Sequence, residues 1–118
     1  MPNPVVHFEI GCRDSAKATA FYSKLFGWGI EAYGPANMIN TGSTEGIQGH
    51  ISSLGHEPHN YCVVYVQVDD LDAYAKKATD LGGKVMIPAT EVPGMGHFAW
   101  VTDPEGLMVG LWKPMNAG

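Results

Sequence analysis

Residues 5–27, VVHFEIGCRDSAKATAFYSKLFG, contain a short strand followed by a capped helix. The β-branched and aromatic side chains of residues 5–10 favour a strand. Asp14 or Ser15 can act as the helix N-cap, since both side chains accept hydrogen bonds from backbone amides. Gly27 then ends the helix. The stretch predicts a β-α unit at the start of the chain.

The predicted helix has one apolar face and is followed by three strands. Ala18, Phe21, Tyr22 and Leu25 recur with helical spacing, which places them together on that face. Clusters of Gly, Pro and Ser then separate short strand-like runs. These runs are residues 28–33, 37–40 and 46–52.

The same order returns in residues 61–83, YCVVYVQVDDLDAYAKKATDLGG. Asp14 and Asp70 lie 56 residues apart, as do Leu25 and Leu81. Strands are again predicted after the helix, at residues 84–87, 97–101 and 107–112. Such a repeat predicts an α+β fold in one domain of 118 residues. The two βαβββ modules span approximately residues 4–54 and 60–114.

Composition excludes several classes of protein. Hydrophobic residues make up 45% of the chain and charged residues 16%, so it can bury a core. The formal net charge of −5 and the scattered basic residues argue against nucleic acid as a partner. No apolar run reaches the ~20 residues of a membrane span. With two cysteines and no signal-peptide pattern, we expect a cytoplasmic protein.

Several stretches together resemble the vicinal oxygen chelate superfamily, which includes glyoxalases, bleomycin-resistance proteins and extradiol dioxygenases. They occur in the order of that family and span nearly the whole chain. They are VHFEI (6–10), AFYSKLFGW (20–28), VQVDDLD (66–72), LGGKV (81–85), GHFA (96–99) and DPEG (103–106).

The resemblance implies an eight-stranded mixed sheet curved into an open cup, with the helices packed outside. Proteins of this family are commonly dimers, so we expect a homodimer. Its enzymes hold a divalent metal in the cup and chelate the substrate through two neighbouring oxygens. Other members bind a drug or another small molecule without a metal. The partner expected here is a small molecule.

Only two of the four metal-ligand positions implied by the resemblance carry a metal-binding side chain. These are His7 and His50, whereas the other two positions are Val63 and Gly110. Two histidines would hold Zn, Ni, Mn or Fe only weakly, because catalytic sites usually take three protein ligands. A third could come from a second copy or from one residue of this set: Glu9, His56, His59 and His97. The alternative is that no cofactor binds.

Strand alternation, with His7 placed inside the cup, predicts the other inward side chains. His7 and Glu9 are the candidate catalytic pair, in which Glu9 orients His7 or raises its pKa so that it acts as a general base near neutral pH. The two side chains could instead only hydrogen-bond each other. The candidate ligand-binding residues are Gln48, His50, Tyr61, Tyr65, Gln67, Met108 and Trp112.

Three functions remain open at this point. The first is a metal-free protein that binds a small molecule, either to sequester it or to act on it by acid–base chemistry. The second is a divalent-metal lyase, isomerase or dioxygenase anchored by His7 and His50. The third is a structural or regulatory domain whose cup is vestigial.

Overall fold

The computed structural model describes residues 3–33, 36–55 and 59–115. These residues form eight strands and two helices, in the predicted β-α-β-β-β order twice over. The elements are β1 (Val5–Gly11), α1 (Ser15–Phe26), β2 (Gly29–Tyr33), β3 (Ala36–Asn40), β4 (Gln48–Ser52), β5 (Tyr61–Gln67), α2 (Leu71–Asp80), β6 (Lys84–Val92), β7 (Gly96–Thr102) and β8 (Met108–Pro114).

Contacts divide the chain into two compact units. The first unit is His7–Val63, and the second combines Val64–Gly118 with Met1–Val6. Each unit contains one parallel strand pair and two antiparallel strand pairs. The predicted α+β class with mixed strand pairing is confirmed.

The strands of the first unit are ordered β2-β3-β4-β1. β2, β3 and β4 pair in antiparallel fashion, whereas β1 runs parallel to β4. The parallel pairing is possible because a helix and two strands separate β1 from β4 in the chain. It aligns His7 with Gln48 and Glu9 with His50.

The core of the first unit lies on the helix side of these strands. Cys12, Ile39 and Ile51 are buried there. Partly buried apolar residues pack against them, namely Phe8, Ile10, Ala18, Tyr22, Trp28 and Ile30. Phe8 and Ile10 alternate along β1 with His7 and Glu9, so the two polar side chains lie on the opposite face.

Both helices begin at aspartates. The side chain of Asp14 accepts a hydrogen bond from the backbone amide of Lys17, and Asp70 accepts one from Ala73. Gly27 ends α1 in the left-handed conformation, with φ of 74°. No helix in the described ranges is long and apolar enough to cross a membrane.

The predicted apolar face of α1 is only partly buried. Ala18 and Tyr22 pack on the core, but Phe21 and Leu25 are 58% and 57% exposed. At 100° per residue, Phe21 lies at the edge of the stripe, whereas Leu25 lies between Phe21 and Ala18, in the last turn of the helix. The core therefore covers only the part of the predicted apolar face that carries Ala18 and Tyr22.

The strands of the second unit are ordered β5-β8-β7-β6. β5 and β8 are parallel, and the other two pairs are antiparallel. The core between these strands and α2 contains Val68, Leu71, Ala99, Val101 and Leu111.

β6 extends to Val92, five residues beyond the predicted end at Ile87. The register against β7 shifts between Val85 and Ile87 and again between Ile87 and Thr90. Pro88 lies in this irregular part, and a proline cannot donate a ladder hydrogen bond. A local irregularity accommodates the proline, so the strand continues past a residue that the sequence pattern treats as its end.

Tyr65 fills the face of the second unit opposite its helix. It is 5% exposed, and its hydroxyl accepts a hydrogen bond of 2.8 Å from Nε1 of Trp100. Gly110 is its neighbour on β8, and a Cβ added there would overlap the Tyr65 ring. The missing side chain of Gly110 thus provides the space that the ring occupies.

We predict that Gly110→Ala lowers the free energy of unfolding by about 1–3 kcal/mol, the usual cost of overpacking a core. Gly29→Ala is the matched control, since a Cβ on Gly29 would meet only the Asn40 carbonyl oxygen, at 3.7 Å. Urea denaturation followed by circular dichroism measures both variants. Equal stability of the two variants would contradict the packing role assigned to Gly110.

Candidate functional site

The candidate site of the first unit lies on the face of β1 and β4 opposite the core. The parallel register places Glu9 beside His50 and His7 beside Gln48. Tyr61, at the start of β5, belongs to the same unit. Glu9 is 3% exposed, whereas the two histidines and Tyr61 are partly buried.

Four of the predicted site residues form one chain of polar side-chain contacts. The Tyr61 hydroxyl donates to Oε2 of Glu9. The other carboxylate oxygen, Oε1, lies 3.3 Å from Nε2 of His50. Nδ1 of His50 lies 2.7 Å from Nε2 of His7, and the two imidazole rings stack with centroids 4.9 Å apart. The order of the chain is Tyr61, Glu9, His50, His7.

The hydrogen bond between the two histidines needs complementary ring nitrogens. A neutral imidazole has one N–H donor and one acceptor nitrogen, so one ring donates across the 2.7 Å contact and the other accepts. The tautomer of His50 with its proton on Nε2, facing Glu9, is the one whose Nδ1 accepts from His7.

Burial lowers the pKa of His7 to about 4. The neighbouring His50 lowers it in addition, and Glu9 raises it only in part. The expectation that Glu9 brings this pKa close to neutrality is therefore wrong, because burial disfavours the imidazolium more than Glu9 favours it. His7 is neutral at pH 7 and has an unprotonated nitrogen.

The Tyr61 hydroxyl remains protonated at every physiological pH. Burial, followed by the hydrogen bond to Glu9, raises the pKa of Tyr61 well above its usual range. Its ring packs over Gly11, where a Cβ would overlap the ring. Tyr61 is thus a fixed donor that holds one oxygen of Glu9.

Gln48 shares the face of His7 but bonds to the loop after β3. Its Oε1 accepts from the Thr41 amide at 2.6 Å, and its Nε2 donates to the Thr41 hydroxyl at 3.1 Å. The side chain therefore fixes this loop.

The remaining predicted ligand-binding residues belong to the second unit. Tyr65 and Gln67 on β5 pair with Gly110 and Trp112 on β8, whose face also carries Met108. The ring of Phe98 lies edge-on to that of Tyr65, at 6.4 Å. Apart from Gln67 and Met108, the described side chains named on this face are aromatic, and none of them is a carboxylate or a histidine.

The side chains as placed do not fit a metal ion. Two nitrogens bound to one tetrahedral metal at ~2.0–2.1 Å lie about 3.3 Å apart, but those of His7 and His50 are 2.7 Å apart and hydrogen-bond each other. Val63 is buried, and Gly110 lies against Tyr65. Across the residues that the structure describes, no three His, Cys, Asp or Glu side chains are grouped to hold a metal. His56 lies outside the described residues.

The first unit contains a cleft of about 380 Å³ that the sequence did not predict. It is lined by Gly27, Gly29, Glu31, Met38, Ile39, Asn40, Thr41 and Gly42. Met38 pairs with His50 across β3 and β4, and Glu31 pairs with Met38 across β2 and β3. The alternation of side chains along β3 predicts which face of the sheet Met38 lies on. Only the pairing of β3 with β4 shows that Met38 is a neighbour of His50.

Comparison with known proteins agrees with this fold. The family model described as Glyoxalase/Bleomycin resistance protein/Dioxygenase superfamily matches residues 5–111. CFP32 of Mycobacterium bovis, whose name assigns it provisionally to the glyoxylases, is 32% identical over 113 residues, which are 89% of this chain and 43% of CFP32. The chain thus spans less than half the length of that relative.

A glyoxylase-like domain-containing protein of Didymella fabae is 31% identical over 107 residues, covering 83% of this chain and 84% of the relative. The fold also matches a variant of methylmalonyl-CoA epimerase from Streptomyces coelicolor, in complex with 2-nitronate-propionyl-CoA. The TM-score is 0.62 at 15% identity, over 98% of this chain and 100% of the epimerase. Family model and relatives together show that this chain belongs to the glyoxalase/bleomycin resistance protein/dioxygenase superfamily.

Proposed function

We propose that the chain binds a small organic molecule at the polar face of the first unit and acts on it by proton transfer that needs no metal. The observation that carries the proposal is the chain of polar contacts Tyr61–Glu9–His50–His7, in which His50 pairs across the strands with Met38 of the cleft. Ligand sites usually combine apolar lining with a few fixed polar groups, and this face has that composition.

His7 is the proposed base, and Glu9 and His50 support it. A proton leaving the bound molecule is accepted by the imidazole of His7, which is neutral at pH 7. The positive charge is then shared with His50 across the 2.7 Å contact, and the Glu9 carboxylate compensates it. Tyr61 keeps Glu9 oriented towards His50. A weakly acidic C–H or O–H group is the matching substrate chemistry.

The geometry of the second unit supports placing the chemistry in the first unit alone. Tyr65 occupies the position that corresponds to Glu9, and Gly110 the one that corresponds to His50. Tyr65 is buried and accepts a hydrogen bond from Trp100, so these residues of the second unit serve packing in this proposal.

Fragments that bind at this face should lose affinity about 10-fold or more in His50→Gln, the usual cost of removing a hydrogen-bonding group from a charged network. A fragment screen by saturation-transfer NMR identifies the binders, and titration gives their affinities. His97→Gln, at an exposed position on β7, is the matched control and should bind like the wild type. Equal affinity of His50→Gln and wild type would contradict the proposed site.

The same fragments also distinguish catalysis from sequestration. A bound fragment with an acidic C–H group should exchange that hydrogen in D₂O, and His7→Ala should abolish the exchange while binding persists. Binding without hydrogen exchange in the wild-type protein would indicate that the protein sequesters the molecule and does not act on it.

The metal-free function and the divalent-metal function predict different metal contents, and the metal-free function predicts an empty site. Protein purified without chelators or a histidine tag should contain no stoichiometric Zn, Ni, Mn or Fe, and titration calorimetry with Zn²⁺ or Ni²⁺ should show no saturable tight site. One equivalent of metal, lost in His50→Ala and retained in His97→Ala, would contradict the metal-free proposal. It would indicate a metal-dependent function at this site.

We also propose a homodimer. Phe21, Leu25 and Phe26 of α1 are each more than half exposed, an apolar group that a second copy could cover. Light scattering should give about twice the monomer mass of 12.7 kDa. Phe21→Ser should shift the protein towards the monomer, whereas Leu107→Ser, at a residue 67% exposed in the second unit, should not. A wild-type monomer at all concentrations would refute the dimer.

A further inference from the structure

The cleft of the first unit lies in line with His50. Cross-strand pairing joins Glu31 on β2 to Met38 on β3, and Met38 to His50 on β4. Paired residues on neighbouring strands point to the same face. At about 4.8 Å per strand spacing, the backbones of Glu31 and His50 are about 10 Å apart.

The walls of the cleft are neutral apart from one carboxylate. Met38 supplies a thioether, and Gly27, Gly29 and Gly42 supply backbone surface. Among the residues that the structure describes, neither Lys nor Arg lines the cleft. Glu31 is exposed, and it makes no hydrogen bond or ion pair with the residues described in the structure.

Several polar groups at the rim are bonded within the protein. Oδ1 of Asn40 accepts from the Gly42 amide at 2.9 Å, and Gln48 holds both the amide and the hydroxyl of Thr41. These bonds fix the rim in place. Glu31 is the charged residue among the described residues that line the cleft.

We infer that this cleft takes the cationic end of an elongated small molecule, an ammonium group on an apolar stem, whose other end reaches His50. The inference deepens the proposed function and rests on it. Glu31 attracts the ammonium group, and Met38 packs on the stem, since a flexible thioether adapts to apolar ligands. The formal net charge of −5 also favours the approach of cations.

The test compares two probes of similar shape, 4-phenylbutylamine and 4-phenyl-1-butanol. Protein labelled with ¹³C at the methionine methyl groups reports on the cleft, with the Met38 signal assigned through Met38→Leu. The amine should bind about 3- to 10-fold more tightly than the alcohol, the range for one partly exposed ion pair. Both probes should shift the Met38 signal.

Glu31→Gln should remove the preference for the amine and leave the affinity for the alcohol unchanged. Glu91→Gln, at an exposed position on β6 of the second unit, is the matched control and should keep the preference. Equal binding of amine and alcohol to the wild type, or a preference that survives in Glu31→Gln, would overturn the inference.

The outcomes for the cleft and for the proposed function are separable. Equal binding of amine and alcohol to the wild-type protein, with fragments still sensitive to His50→Gln, overturns the cleft inference alone. A preference that depends on Glu31, in a protein whose fragments ignore His50→Gln, supports a cationic subsite and overturns proton transfer at His7 and His50.

Discussion

The parallel pairing of β1 with β4 is the constraint on which the candidate site depends. It places Glu9 beside His50, and the alternation of β1 puts both on the face opposite Phe8 and Ile10. A shift of one residue in either strand would turn the polar side chains into the core. The buried apolar residues of the unit, Ile39 and Ile51 among them, therefore stabilise the same register that assembles the polar chain.

The second unit uses an equivalent register for a different purpose. Tyr65 pairs with Gly110 as Glu9 pairs with His50, but an aromatic ring and a glycine now meet. The ring is buried, and its hydroxyl is satisfied by Trp100, as a buried phenol requires. One β-α-β-β-β pattern thus supports hydrogen-bonded polar chemistry in one half and packing in the other.

The same comparison bears on the metal chemistry that resemblance to the family suggests. Two of the implied ligand positions carry histidines, and both belong to the first unit. Their nitrogens are close enough to share a proton and too close to bind one tetrahedral ion together. Burial keeps the His7 imidazole neutral at pH 7, which is the protonation state that the proposed proton transfer requires.

The sequence by itself determined the repeat, the order of the elements, the helix caps and the face of each strand. Asp14 and Asp70 as caps, and Gly27 as the end of α1, follow from local chemistry that does not need the rest of the fold. β6 is longer than predicted because its pairing with β7 continues past Pro88. Phe21 is exposed although it lies on the predicted apolar face, because periodicity gives the direction of a side chain but not the extent of the sheet beneath it.

Tertiary structure alone decided which polar side chains meet. Alternation places His7, Glu9 and His50 on one face, but it cannot tell that His50 stands between the other two in the chain of polar contacts. Glu31 and Met38 gave no signal in the sequence, since their importance comes from cross-strand pairing with a residue many positions away. Register between strands is set by packing over the whole unit, and this is the physical reason why the site could be located from the sequence but not assembled from it.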